Sequence, residues 1–129
     1  MESDIILLDT SVLIDYYRKK DKNKTLLFHL AETWPLFAVS AITHFEIYAG
    51  TLNQQKDFWD SFFQEVAILP FNAETSALAA SIDKELKKER KQIAIPDLFI
   101  AATALSNNLP CPTLNKKHFS RIQNLQLIS

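Results

Sequence analysis

Four consecutive apolar residues, Ile5-Ile6-Leu7-Leu8, stop at Asp9, and a helical pattern begins directly after Thr10-Ser11. A run without polar alternation marks a strand covered on both faces, and such strands belong to parallel sheets flanked by helices. Further strands are expected at 36–39, 67–69, 111–113 and 125–128. Helices are expected at 11–19, 24–32, 41–52, 53–65, in the long stretch after Asn72, and at 97–106. Ser40 and Asn72 stand where N-caps belong, and Pro96 and Asp97 suit a first helical turn. The helix after Ser40 is expected to bury Ile42, Phe45 and Ala49, spaced i, i+3 and i+7. Strands alternating with helices predict an α/β domain with a short, mainly parallel sheet of about five strands. The length of 129 residues fits one domain, 1–129.

The strand ends matter because ligands in parallel α/β sheets sit beyond the carboxyl ends of the strands. Asp9 ends the first strand, while Ser40 and Thr113 end two others. Glu46 lies less than two turns into the helix that follows Ser40 and borders its apolar stripe. Asp97 opens a helix that continues Leu98-Phe99-Ile100-Ala101-Ala102. An acid flanked by core is costly unless its charge is compensated. Each has a simple explanation alone: Asp9 as a helix cap, Asp97 complementing a helix dipole, Glu46 pairing with a lysine. Three carboxylates gathered at one end of a parallel sheet would instead repel one another without a cation.

Composition narrows the chemistry. Gly50 is the only glycine, which removes the Gly-rich phosphate loops of nucleotide-binding proteins. Left-handed turn positions must then fall to other residues, and Asn107-Asn108 before Leu109-Pro110 reads as such a helix end. The lone Cys111 excludes an internal disulfide and a multi-cysteine zinc site, and reads as a buried apolar residue. His29, His44 and His118 are scattered, so hard oxygen ligands suited to Mg²⁺ or Mn²⁺ are the better match. A cation held by few carboxylates keeps positions open for water and phosphate oxygen, the chemistry of phosphodiester hydrolysis.

The formal net charge is −1, yet residues 84–91 hold five of the 14 basic residues. No apolar run approaches the roughly 18 residues of a membrane span. The N-terminus lacks the order of a signal peptide, so a cytoplasmic location without a membrane partner is expected.

Taken in order, four segments resemble the motifs of PIN-domain ribonucleases, and among them the VapC-type toxins of toxin–antitoxin pairs. They are Leu7-Leu8-Asp9-Thr10-Ser11-Val12, Ser40-Ala41-Ile42-Thr43-His44-Phe45-Glu46, Pro96-Asp97-Leu98-Phe99-Ile100-Ala101-Ala102, and Thr113-Leu114-Asn115-Lys116-Lys117-His118-Phe119. The resemblance spans nearly the whole chain. It implies a three-layer α/β/α fold and a Mg²⁺- or Mn²⁺-dependent endoribonuclease. Asp9, Glu46 and Asp97 would be the catalytic, metal-holding acids, with Ser11 and Thr113 orienting Asp9 or a water. Asn115 stands where many members have a fourth Asp; its carbonyl would hold metal or water without adding charge, so one firmly bound ion is expected. The resemblance further implies a homodimer and a small cognate antitoxin.

Two surfaces go with that expectation. Phe58, Trp59, Phe62 and Phe63, on one helix, read as either core or a patch for the antitoxin or dimer mate. Lys87, Lys88, Arg90 and Lys91 read as either a solvated helix face or contacts to RNA phosphates. Two other phosphotransfer classes are disfavoured. A haloacid-dehalogenase-like phosphatase wants an Asp where Ser11 stands, and a response-regulator receiver wants paired acids near its first strand. The remaining alternative is a catalytically silent PIN-like module that binds RNA or protein.

Overall fold

The computed structural model describes residues 4–128. Three parallel strands form the sheet in the order β1-β2-β3: β1 is Ile5–Leu7, β2 Leu36–Ser40 and β3 Ala67–Leu69. Ile5 pairs with Leu36, and Ser40 with Leu69, so the strands run in step toward one carboxyl edge. The helices are α1 (Thr10–Arg18), α2 (Leu26–Thr33), α3 (Ala41–Ala49), α4 (Lys56–Gln64), α5 (Ala73–Lys88), α6 (Ile95–Ser106) and the single-turn α7 (Lys116–Phe119).

Side-chain alternation along the strands splits the interior into two cores. Ile6, Leu8 and Val39 pack with Val12 and Leu13 of α1, Leu27 and Leu30 of α2, and Trp59 and Phe63 of α4. Leu7 and Ala38 point the other way, into Ile100, Ala101 and Ala104 of α6, with Leu86, Cys111 and Phe119. Helices thus cover both sheet faces, the three-layer α/β/α arrangement. Ile6 and Leu7, on opposite faces of β1, are both fully buried, which is why its sequence does not alternate.

The expected fourth and fifth strands are not regular strands. Residues 110–113 do run beside β1, since Leu7 N–H donates to Pro110 O at 2.9 Å and Asp9 N–H to Pro112 O at 3.4 Å. Pro110 and Pro112 have no N–H to return, so half of the ladder is missing. The 125–128 segment is joined to it by Cys111 N–H donating to Gln126 O at 2.8 Å. Both segments keep strand-like positions.

Caps and turns follow the local chemistry. Ser40 Oγ accepts from Thr43 N–H, and Asn72 Oδ1 from Thr75 N–H. Asn108 takes a left-handed φ of 55° at the end of α6. In α3 the buried residues are Thr43 and Ile47, whereas Phe45 is 68% exposed and Ala49 is exposed as well. The i, i+3, i+7 reading of that helix was therefore rotated. The Ser40 cap and the bond from Thr10 to Thr43 turn the Thr43 face inward.

Candidate metal centre

Asp9 occupies the N-cap position of α1 but makes no side-chain cap bond. Its carboxylate turns aside instead. Ser11 Oγ and Thr113 Oγ1 both donate to Asp9 Oδ2, each at 2.6 Å. The helix-cap explanation of this acid is thereby replaced. Both hydroxyls are themselves fixed: Ser11 Oγ accepts from Leu114 N–H at 3.1 Å, and Thr113 Oγ1 from Asn115 N–H at 2.9 Å. Asp9 is only 2% exposed, and its Oδ1 carries no hydrogen bond among the described residues.

Glu46 is held the same way. Thr10 Oγ1 lies 2.8 Å from Glu46 Oε1 and 2.9 Å from Thr43 Oγ1. Thr10 follows Asp9 directly, so β1 and the start of α1 deliver both the first acid and the group that orients the second. Asp97 sits in the first turn of α6, which begins two residues earlier than expected, at Ile95. Asn115 Nδ2 donates to Asp97 Oδ2 at 3.1 Å and lies 3.0 Å from His118 Nδ1. An ionised carboxylate only accepts, so the amide nitrogen must face Asp97.

Of the six residues expected at the site from sequence, Asp9, Ser11, Asp97, Thr113 and Asn115 share one hydrogen-bonded network, and Glu46 belongs to a second, through Thr10, the chain neighbour of Asp9. Two were missed, Thr10 and His118. Thr10 was readable only as part of the motif, because its partner is 36 positions away. His118 could have been found as the i+3 neighbour of Asn115 on a helical turn.

The charges sense one another. Burial first, and then the fields of Asp9 and Glu46, hold the Asp97 carboxyl above its ordinary range; His118 opposes that shift. Burial, with Asp9 and Asp97, likewise pushes the Cys111 thiol well up. No Lys or Arg forms an ion pair with Asp9, Glu46 or Asp97 among the described residues. His118, 3.8 Å from Asp97, is the one basic group paired with any of them there. The lysine-pair explanation of Glu46 is thus not what the structure shows.

The acids are not drawn into a closed cluster. Among the described residues, no three His, Cys, Asp or Glu side chains stand close enough to hold an ion as they are. Like charges in a partly dry cleft keep apart. The donor set nonetheless suits a hard divalent cation: among the described residues, each acid has one oxygen tied by a protein donor and one carrying no bond.

The expected surfaces divide. Trp59 and Phe63 are core, 4% and 7% exposed, so they leave the proposed patch. Phe58, 37% exposed, and the half-buried Phe62 line an apolar groove of about 520 Å³ with Tyr16, Leu27, Phe28 and Phe37. The split follows from helical geometry, because only one side of α4 can face α3 and the sheet, where Phe63 packs on His44 and Tyr48. Of the basic run, Lys87 pairs with Asp83 at 2.9 Å and Lys88 with Glu85 at 3.3 Å. Arg90 and Lys91 are exposed, and their side chains have no ion-pair or hydrogen-bond partner among the described residues.

Comparison with known proteins agrees with this architecture. The PIN-domain family profile matches residues 6–125, and the chain belongs to the PIN-domain family. Within it the chain groups with proteins named Ribonuclease VapC. It is 35% identical over 127 residues to Ribonuclease VapC1 of Methanocaldococcus jannaschii, covering 98% of this chain and 87% of that one. It is 32% identical over 132 residues to Ribonuclease VapC1 of Rickettsia felis, covering 96% and 95%. In structure it resembles a chain of the VapBC2 complex of Rickettsia felis bound to a promoter DNA fragment. That match has a TM-score of 0.83, 28% identity, and 96% and 97% coverage. A chain of VapBC-1 from nontypeable Haemophilus influenzae gives 0.83, 28%, and 97% of both chains.

Proposed function

We propose that this chain is a Mg²⁺- or Mn²⁺-dependent endoribonuclease and the toxin of a toxin–antitoxin pair, acting in the cytoplasm. The observation that carries this reading is the pattern at the acids. Asp9, Glu46 and Asp97 are each oriented by hydroxyl or amide donors, each keeps an unbonded oxygen, and no Lys or Arg neutralises them. Protein donors fix the direction of these charges without cancelling them, as a cation site requires.

Asp9, Glu46 and Asp97 would hold the ion through their unbonded oxygens. A bound divalent cation supplies an acidified water and stabilises charge building on phosphorus. Ser11 and Thr113 fix the Asp9 carboxylate, Thr10 fixes Glu46, and Asn115 fixes Asp97. Asn115, with its amide nitrogen turned to Asp97, still has its carbonyl oxygen for metal or water. Arg90 and Lys91, following α5 and preceding Asp97, are the members of the basic run free to meet RNA phosphates.

Relatives named VapBC are complexes, and the apolar groove beside Phe58 and Phe62 supports a cognate antitoxin segment as partner here. A homodimer is part of the same reading. The test is cleavage of structured RNA by the purified protein with Mg²⁺ or Mn²⁺ and with a chelator. Activity lost in folded Asp9→Asn and Asp97→Asn proteins supports the reading. Failure of the wild type to cleave any RNA, with metal present, rejects it.

A further inference from the structure

We infer that a second pocket beside Glu46 receives one unpaired nucleotide of the RNA, next to the bond that is cut. The inference rests on the ribonuclease reading and deepens it. A cavity of about 180 Å³ opens between the last turn of α1, the end of α3 and the turn leading into α4. Tyr17, Arg18, Glu46, Thr51, Gln55 and Trp59 contribute to its wall. Glu46 belongs to both places: Thr10 holds its Oε1 at the metal centre, and the same side chain borders the cavity. Whatever fills the cavity therefore lies next to the candidate metal centre.

The wall chemistry selects the occupant. Arg18 is exposed and carries no side-chain ion pair or hydrogen bond among the described residues, although its neighbours are engaged. Lys19 pairs with Asp15 at 3.1 Å, and Lys22 Nζ donates to Tyr17 O at 2.8 Å. Gln55 uses its Oε1 to accept from Leu52 N–H at 2.9 Å, so its amide N–H₂ donors carry no bond. Thr51 Oγ1 is spent on Ile47 O. The unspent groups are thus a guanidinium and an amide N–H₂, whereas the half-buried Tyr17 ring is already packed by Phe58 at 5.0 Å and Trp59 at 5.4 Å, with Lys22 Nζ over it at 5.8 Å. A guanidinium for phosphate and an amide donor for a base carbonyl are contacts that single-stranded RNA recognition uses. The cavity is distinct from the apolar groove, which has the larger volume and no charged side chain on its wall.

The test uses a short fluorescein-labelled single-stranded RNA of mixed sequence, with product mapping on the same RNA. Arg18→Ala should weaken binding by roughly tenfold and flatten log affinity against log salt by about 0.7, the value of one single-strand phosphate contact. Gln55→Ala should change which nucleotide borders the cleavage point. Mn²⁺ affinity should stay as in the wild type for both; thermal stability should stay so for Arg18→Ala, while Gln55→Ala also loses its bond to Leu52 N–H. If the wild type cleaves and both variants match it in salt slope and cleavage pattern, the pocket assignment is wrong while the ribonuclease reading stands. If the variants cleave normally but escape antitoxin inhibition, the pocket serves a protein, and the inference is likewise overturned. A wild type that neither binds nor cuts RNA overturns both readings.

Discussion

Thr113 Oγ1 donates to Asp9 Oδ2 at 2.6 Å, joining two residues 104 positions apart. The bond ties the segment after Pro112 to the end of β1 and leaves the other Asp9 oxygen turned away. Thr113→Val is close to isosteric and removes only the hydroxyl. It should lower Mn²⁺ affinity or activity by about 10–100-fold, the usual effect of losing a group that orients a metal ligand. It should also cost stability, by about 1.5–3 kcal/mol for a hydrogen bond to a charged group. Thr113→Ser should recover most of both, measured by calorimetric Mn²⁺ titration and chemical denaturation.

Thr10 serves Glu46 as Thr113 serves Asp9. Thr10→Val should weaken Mn²⁺ binding by about tenfold or more while the protein remains folded, and Thr10→Ser should restore it. An unchanged titration in the valine variant would show that Glu46 is held by its helix alone.

The raised Asp97 carboxyl gives a signed pH effect. The fold favours its protonated form, so the resulting stabilisation is complete below the ordinary value of 3.8 and is lost as pH rises through the raised pKa. At neutral pH the metal-free wild type therefore carries a repulsion that Asp97→Asn lacks, and the variant still offers Asn115 an acceptor. The variant should melt higher than the wild type without metal, and the gap should close as pH falls through that window. Adding Mn²⁺ should raise the wild-type melting temperature more than that of the variant.

The α4 aromatics separate by face. Phe58→Ala and Phe62→Ala should spare RNA cleavage and weaken inhibition by the antitoxin. Trp59→Ala should cost about 3–5 kcal/mol of stability, as truncation of a buried aromatic does. Cleavage assays with and without antitoxin, beside urea unfolding, separate the two classes.

The site was legible where a residue type alone constrains its surroundings. Asp9 after an unbroken apolar run and Asp97 before one could hardly be surface charges, and they are not. Ser40 and Asn72 cap as their side chains dictate. Phe45 misled because its apolar spacing in α3 competes with hydroxyl bonding at Thr43, and spacing does not register a bond from another helix. Residues 111–113 looked like a strand because β-propensity does not register that two flanking prolines cannot donate. Thr10 and His118 acquire their roles only through partners brought near by the fold. The four aromatics of α4 needed the position of α3 and the sheet to divide them.

The prolines beside Cys111 have one more consequence. The segment that carries Thr113 and Asn115 receives bonds from β1 but returns none through Pro110 or Pro112. Its attachment is a half-stitched seam, and seams with few backbone bonds are where a native protein opens first. The amides of Leu7 and Asp9, which donate across it, should therefore exchange with solvent sooner than the donors between β1 and β2. Mn²⁺ held between Asp9 and the carbonyl of Asn115 would bridge the two sides and slow that exchange. A hydrogen-exchange measurement with and without the ion would then report site assembly directly, with no RNA present.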